Sequence, residues 1–183
     1  MVAEKQGLTS REAEQLIELL GKLRWPVPEN VFYAICENLV SCTVELAVLR
    51  SPDDPEILLI ERHDKYFDGW HLPGGIQRPG ERASETLARI MKEELDITAV
   101  GGTPEFIPEQ LEFLKGTGSL EVSRGQERTW LFILWVAHEE IPGKQFFSLN
   151  TLPSNFLRHH KKIIDVVRIH ISIHDCRKDG DDS

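Results

Sequence analysis

The 183-residue sequence contains little cysteine, and the three cysteines do not form a recognisable set. Cys36, Cys42 and Cys176 include no Cys-x-x-Cys pair, so the sequence predicts neither a disulfide framework nor a thiolate zinc site. Cys36 and Cys42 lie in apolar surroundings, which is typical of small core residues. Function is therefore not expected to depend on cysteine chemistry.

Long apolar runs and an excess of basic residues are also missing. No segment is apolar over a length that spans a bilayer, and the N-terminus lacks the apolar core of a signal peptide. We therefore expect a cytoplasmic protein with no membrane partner. The formal net charge of −9 argues against a nucleic-acid partner, because phosphate contacts need clustered Lys and Arg. A phosphorylated small molecule is still allowed, since a divalent cation can reverse the local charge.

The pattern of the first part of the chain predicts a helical N-terminal extension over residues 1–38. Thr9 and Glu12 have the spacing of a capping box, and apolar residues at helical spacing follow them. Residues 25–28, Trp-Pro-Val-Pro, interrupt this helix, and a second helix is expected to begin near Pro28. Such an extension could cover the rest of the protein or form a homodimer contact.

Residues 39–173 combine strand patterns with two helices and predict a single α+β domain, a mixed α/β sandwich. The pattern predicts strands over 42–50, 57–62, 70–72, 97–102, 110–116 and 129–140. The first two are expected to form a hairpin across the turn residues 51–55. One helix is expected from Ser84, as its N-cap, to Leu95, and another within 152–169. Residues 174–183 are expected to form a disordered tail.

Glycine and acidic residues are concentrated in the middle of the chain, in a loop and the helix that follows it. Gly74 opens the loop, and Glu93 and Glu94 are adjacent near the end of the helix. Adjacent carboxylates together with a backbone carbonyl from a glycine loop would supply half of the oxygen shell that Mg²⁺ prefers. Arg89 lies one turn before Glu93 and could orient it. A solvated charged helix face is the alternative interpretation of these spacings.

The spacing resembles the Nudix box, Gly-x5-Glu-x7-Arg-Glu-U-x-Glu-Glu-x-Gly-U, in which U is an apolar residue. Gly75, Glu81, Arg89 and the Glu93–Glu94 pair occupy box positions, and the lead-in Trp-x-x-Pro-Gly-Gly starts at Trp70. The flanking strand order extends the likeness over residues 40–170. The resemblance implies a Nudix-type α/β/α sandwich with a mixed sheet.

The resemblance also implies an activity: hydrolysis, with Mg²⁺ or Mn²⁺, of a nucleoside diphosphate linked to another group, a nucleotide sugar being favoured. The implied metal ligands are the Gly74 carbonyl, Glu81, Glu93 and Glu94. The implied catalytic residues are Glu94, Glu93 and Arg89, with Arg89 orienting the carboxylates. The implied substrate contacts are Gly74, Gly75 and Trp70, with Trp70 stacking on the base.

Two residues depart from the Nudix pattern. Asp96 stands where the box has glycine, a small change because Asp tolerates a left-handed helix end. Ile90 stands where the box has the glutamate that binds metal or activates water, and isoleucine can do neither. GDP-mannose mannosyl hydrolases, which also have an apolar residue here, resemble this variant and are thought to use a histidine base.

Ile90 leaves three interpretations open. The enzyme could take its base from elsewhere, the domain could bind nucleotides as a sensor without efficient hydrolysis, or the box could serve as a scaffold for protein contacts. The candidate bases are Glu109, Glu112, Glu121, Glu127, His71, His159 and His160. Glu121 and Glu127 are expected in a solvated loop, and His159 and His160 on the surface of a helix.

Overall fold

The structure, a computed structural model, describes residues 7–64, 67–98, 101–114 and 125–178, with side chains given up to residue 173. The chain divides into two compact units, Met1–Ala34 and Ile35–Ser183. The division falls a few residues before the boundary predicted at residue 38. In the described part of the chain, no helix combines the length and the apolar character needed to cross a bilayer.

The first unit contains α1 (Ser10–Lys22) and the start of α2 (Glu29–Asn38). The predicted capping box is confirmed: the Thr9 hydroxyl accepts the Glu12 N–H at 3.3 Å, and the Glu12 carboxylate accepts the Thr9 N–H at 2.8 Å. No residue of α1 is buried, although its apolar side carries several large side chains. These exposed residues are Leu16, Ile17, Leu19 and Leu20.

The second unit is built on a mixed sheet. Its described elements are β1 (Val40–Arg50), β2 (Glu56–Leu58), β3 (Ile60–His63), β4 (Asp68–His71), β5 (Gly74–Ile76), α3 (Ala83–Leu95), β6 (Glu105–Phe113), β7 (Gln126–Trp135), β8 (Phe146–Ser148), a 3-10 helix (Arg158–His160) and α4 (Lys161–Lys178). Strand β1 pairs in parallel with β7 and antiparallel with β2 and β5. The strand order is β6-β7-β1-β2-β8 with β5 beside β1, and β3 and β4 form a separate antiparallel pair.

Successive side chains of β1 point to opposite faces of the sheet, so β1 contacts a different helix on each face. Leu46 and Val48 point to one face and pack with Leu87 and Leu95 of α3. Ala47 and Leu49 point to the other face, in a cluster that includes three residues of α4: Ile163, Ile164 and Val167. Because the sheet has one helix layer on each face, the predicted α+β fold class, a Nudix-type α/β/α sandwich with a mixed sheet, is confirmed.

Several element bounds differ from the sequence prediction. The strand predicted over 57–62 is divided between β2 and β3, because the chain leaves the main sheet at Leu59 to pair with β4. The N-cap of α3 is Arg82, not Ser84. Strand β7 ends at Trp135, and β5 and β8 were not predicted.

The strand predicted over 97–102 was wrong where the structure describes it. Residues 97–98 and 101–102 are not in a strand, and 99–100 lie outside the described residues. Helix α4 continues to Lys178, and residues 179–183 of the predicted disordered tail lie outside the described residues, so the disorder of the tail stays a prediction.

Candidate active site

The glycine loop is fixed to the sheet by the pairing of β5 with β1. The Leu46 N–H donates to the Pro73 carbonyl and the Gln77 N–H donates to the Cys42 carbonyl, each at 2.9 Å. In this alternating antiparallel ladder, Glu45 and Gly74 form a non-hydrogen-bonded pair. The N–H and C=O of Gly74 therefore point away from β1, towards the edge of the sheet.

Gly74 lies against two carboxylates. Its N–H donates to Glu94 Oε2 at 3.0 Å. On the side where another residue would have a Cβ atom, the space is filled by the carboxylate of Glu45. A Cβ atom at this position would overlap the Glu45 carboxylate, so any other residue would force that carboxylate to move.

Helix α3 orients its two adjacent glutamates differently. Glu94 is largely buried, and burial raises the pKa of its carboxyl group to about 7 against the opposing effects of the Gly74 N–H and of Arg62. Glu93 is about half exposed, and its Oε2 lies 3.4 Å from Arg89 and 3.5 Å from Arg78. The structure therefore brings Glu94 to the glycine loop and leaves Glu93 at the rim beside two guanidinium groups.

Arg89 is held by the carboxylate of Glu81, eight positions before it in the chain. Its Nε and Nη2 donate to the two oxygens of Glu81 at 2.8 and 2.9 Å, and Nη2 also donates to the Ile76 carbonyl at 2.9 Å. Glu81 Oε2 further accepts bonds from the Arg78 N–H and the Thr86 hydroxyl. Hydrogen bonds from Arg89 are the main reason why the pKa of Glu81 falls to about 2.

This arrangement bears on the predicted roles of Glu81 and Arg89. Both oxygens of Glu81 accept bonds from the protein itself, so the geometry favours a positioning role over direct ligation of a metal ion. Arg89 links the glycine loop, through the Ile76 carbonyl, to helix α3. Its contact with Glu93 agrees with the orienting role that the sequence predicts.

Ile90 lies in the core and does not face the candidate site. Its side chain is 1% exposed and packs in the cluster that contains Val44, Leu46 and Leu87. A Cβ added at Gly75 would meet the Ile90 side chain at 3.8 Å, an ordinary van der Waals distance. The position that carries a carboxylate in the Nudix pattern therefore fills apolar space beneath the glycine loop.

Trp70 is a poor candidate for stacking on a base in this conformation. Its ring packs edge to face against Phe147 with the centroids 4.9 Å apart, and the side chain lies against the cluster below the sheet. Its backbone donates to Asn155 and accepts from Leu157, which ties β4 to the segment before α4. Its predicted contact with substrate stays a prediction.

Three histidines named as candidate bases are buried close together. His71 and His159 are 8% exposed and His160 is 5% exposed, so the expectation that His159 and His160 lie on the surface was wrong. The 3-10 helix turns both rings inward, where His159 contacts Phe67 and Phe113 and His160 contacts Phe156. The centroid of the His160 ring lies 4.3 Å from that of the His159 ring and 5.6 Å from that of the His71 ring.

The acidic candidate bases are dispersed. Glu127 lies on β7 and is 3% exposed, so the expectation of a solvated loop position was wrong. Glu112 on β6 forms an ion pair with Arg128 at 2.8 Å, and Glu109 on the same strand is exposed. Glu121 lies outside the described residues. Cys42, predicted as a core residue, is exposed, whereas Cys36 is buried as expected.

The donors near Gly74 fit a hard divalent cation. Within the described residues, no group of three or more His, Cys, Asp or Glu side chains is arranged around a common metal position. Mg²⁺ does not require such a cage, since it is held by one or two carboxylates and keeps waters and substrate phosphate oxygens as its other ligands. The Glu94 carboxylate, which accepts the Gly74 N–H, and the outward Gly74 carbonyl supply oxygen donors of this kind.

The fold and this site define a class of protein: an α/β/α sandwich with an acidic helix behind a glycine loop at one sheet edge. A family model described as NUDIX domain matches residues 43–166. The chain therefore belongs to the Nudix family and is a hydrolase.

Two characterised relatives are similar in sequence. The ADP-ribose pyrophosphatase of Methanocaldococcus jannaschii is 33% identical over 123 residues, which cover 63% of this chain and 68% of that protein. The human 8-oxo-dGDP phosphatase NUDT18 is 42% identical over 53 residues, which cover 29% of this chain and 16% of that protein. The second match therefore concerns a segment only.

Solved structures agree on the fold. The NUDIX domain of Shewanella oneidensis NrtR, crystallised with ADP ribose, has a TM-score of 0.55 at 17% identity and covers 90% of this chain and 99% of that chain. The C. elegans Ap4A hydrolase has a TM-score of 0.55 at 16% identity and covers 74% of this chain and 98% of that chain. At these identities the likeness concerns the fold alone.

Proposed function

We propose that this Nudix hydrolase cleaves a nucleoside diphosphate linked to another group, with a nucleotide sugar as the substrate class and ADP-ribose as the first compound to test. The observation that carries the proposal is the Glu94 carboxylate held on the Gly74 N–H at 3.0 Å. It places an acidic oxygen beside the loop that would meet a diphosphate. The 33% identical relative named as an ADP-ribose pyrophosphatase supports the choice of compound.

The proposal assigns a task to each residue. Glu94 and the Gly74 carbonyl would hold Mg²⁺ or Mn²⁺, with Glu93 joining from the rim. A bound cation would neutralise the diphosphate and polarise the bond that breaks. Arg89, fixed by Glu81, keeps helix α3 and the glycine loop at a constant separation. Gly75 allows the substrate to approach the backbone closely.

The direct test is hydrolysis of ADP-ribose with and without Mg²⁺, with Glu94→Gln as the variant. Glu139→Gln is the matched control, because Glu139 is exposed in the turn after β7. We expect Mg²⁺-dependent turnover that Glu94→Gln lowers at least about 100-fold, in the range seen when groups that stabilise transition-state charge are removed. Equal turnover by Glu94→Gln and Glu139→Gln would exclude the proposal. So would the absence of turnover for every nucleoside diphosphate derivative.

The resemblance to GDP-mannose mannosyl hydrolases makes a separate prediction about the bond that breaks. Attack at phosphorus places oxygen from ¹⁸O-water in a phosphate, whereas attack at the sugar carbon places it in the sugar. Mass spectrometry of both products distinguishes these routes. Label in the phosphate would remove the support for a mannosyl-hydrolase-like reaction.

A nucleotide-binding sensor is the second candidate function, and the burial of Ile90 in the core favours it. Without a carboxylate at this position, the box could bind a nucleotide and hydrolyse it slowly. Isothermal titration with ADP-ribose and Mg²⁺ would then give binding, while product formation stays at the level of the Glu94→Gln variant. Rapid turnover would exclude the sensor.

A further inference from the structure

We propose that Glu45, on the central strand β1, is a further carboxylate of the cation site and stands in for the glutamate that Ile90 replaces. The inference rests on the proposed function and names a residue outside the box that the sequence pattern did not indicate. The argument depends on the register of β1 and β5, on the space beside Gly74 and on the charges around it.

The register places Glu45 directly opposite Gly74. In a non-hydrogen-bonded antiparallel pair the two Cα atoms lie about 4.5 Å apart, and the side chains lie closer than at the other sites of the ladder. Because Gly74 has no side chain, the carboxylate of Glu45 occupies the free space on that face. The position of Glu45 is therefore fixed by sheet pairing and does not depend on a loop.

Glu45 and Glu94 approach Gly74 from different elements. Glu94 reaches the N–H at the edge of the strand, and Glu45 covers the face where a Cβ atom would be. The carbonyl of Gly74 points to the same edge as its N–H, as the ladder requires. A strand carboxylate, a helix carboxylate and a backbone carbonyl thus converge on one residue, an oxygen donor set that suits Mg²⁺ or Mn²⁺.

The surroundings of Glu45 explain why a cation would be useful there. Its side chain is 12% exposed in a strand whose neighbouring positions are apolar and buried. Among the described residues, the single oxygen Oε2 of this side chain is buried without a hydrogen bond, and Nδ1 of His160 lies 3.8 Å from it. A divalent ion at Gly74 would give this oxygen a charged partner and offset the cost of burying it.

The other acidic side chains of the box cannot take this role as easily. Both oxygens of Glu81 accept bonds from Arg89, and Glu93 faces Arg89 and Arg78 at the rim. Ile90 packs with Val44 and Leu46 on the α3 face of the sheet. Glu45 alternates with those two residues along β1, so its side chain reaches Gly74 from the other face. A shift of the third carboxylate from helix to strand would keep the charge of the site.

Direct binding of Mn²⁺, measured by electron paramagnetic resonance of the free ion without nucleotide, tests this role. The variants are Glu45→Gln, which keeps the shape and removes the charge, Glu45→Asp, which keeps the charge, Glu94→Gln, and the exposed control Glu139→Gln. We expect Glu45→Gln to weaken Mn²⁺ binding at least 10-fold, Glu45→Asp to weaken it less, and Glu139→Gln to bind like the wild type.

The outcomes separate this inference from the proposed function. If Glu45→Gln binds Mn²⁺ like the wild type while Glu94→Gln does not, Glu45 is not part of the site and the proposed function stands. If neither substitution changes binding, or the wild type binds no Mn²⁺, both proposals fail. Circular dichroism checks that each variant is folded. If Glu45→Gln does not fold, Mn²⁺ binding by Glu45→Asp is compared with the wild type instead.

Discussion

Gly74 and Gly75 are neighbours in the sequence but have different reasons to be glycine. A Cβ atom at Gly74 would overlap the Glu45 carboxylate, whereas one at Gly75 would make ordinary contacts with Ile90 at 3.8 and 4.0 Å. The family pattern treats both as part of one motif. The structure indicates that a methyl group at the first would displace a carboxylate and that the second tolerates a methyl group.

This difference predicts opposite effects of the same substitution. Gly74→Ala should lower the free energy of unfolding by about 1–3 kcal/mol, because the buried carboxylate must move. Gly75→Ala should leave it unchanged or raise it by up to about 1 kcal/mol, since alanine restricts the unfolded chain more than glycine does. Urea denaturation of the two variants and the wild type measures both effects. Equal destabilisation by the two substitutions would contradict the prediction.

Helix α3 is the element on which the site depends, and its two ends are held in different ways. At the start, the Glu85 carboxylate accepts the Arg82 N–H at 2.7 Å. At the end, Asp96 adopts the left-handed conformation, with φ 59° and ψ 38°, and the Ile97 N–H returns to the Met91 carbonyl. The Nudix box has glycine at the position of Asp96, and glycine suits a left-handed helix end of this kind.

Asp96 therefore provides a test at the level of the helix. Asp96→Gly should raise the free energy of unfolding by about 0.5–1 kcal/mol, because glycine has no steric cost at positive φ. Asp96→Ala should lower it by a similar amount. Thermal and urea unfolding followed by circular dichroism measures the changes. A destabilised glycine variant would show that the Asp96 side chain has a stabilising contact that outweighs its backbone strain.

At the scale of the whole molecule, the buried histidines link stability to pH. Burial lowers the pKa of His71 to about 4, and the positive charge of Arg62 acts in the same direction. The folded protein therefore holds His71 neutral, while the unfolded chain binds a proton below its ordinary pKa of 6.5. This contribution to stability is complete above pH 6.5 and is lost as the pH falls towards 4.

We expect the wild type to lose up to about 3 kcal/mol of unfolding free energy through His71 between pH 6.5 and 4. His71→Gln, which is close in size and does not titrate, should have a flatter stability profile over this interval. Urea midpoints at intervals of half a pH unit give both profiles. Parallel profiles for the wild type and the variant would show that His71 is not responsible.

Local patterns allowed several features to be predicted from the sequence. The capping box of Thr9 and Glu12, the bounds of α3 to within a residue or two and the contact of Arg89 with Glu93 all depend on residues a few positions apart. Spacing along a helix or strand determines such contacts directly. The Nudix family and its sandwich fold were expected from the resemblance of one such spacing to the Nudix box.

Features that depend on pairing between distant segments could not be predicted. His159 and His160 look like surface residues beside Lys161 and Lys162, yet the 3-10 helix turns them into the core. The burial of Glu127 depends on β7 pairing in parallel with β1. Glu45 is a charged residue within an apolar strand, but its position opposite Gly74 depends on the pairing of β1 with β5.

The sequence by itself determined the α+β class and the helix that carries Glu93 and Glu94, because these depend on short-range spacing and alternation. The resemblance of that spacing to the Nudix box indicated the family and its layered sandwich. Only the tertiary structure decided which of these glutamates meets the glycine loop, that Arg89 is committed to Glu81, and that Glu45 lies against Gly74. Those contacts are set by strand register and by the way α3 packs on the sheet. A shift of β1 by one residue would turn Glu45 to the other face, so the site depends on the register of the whole sheet.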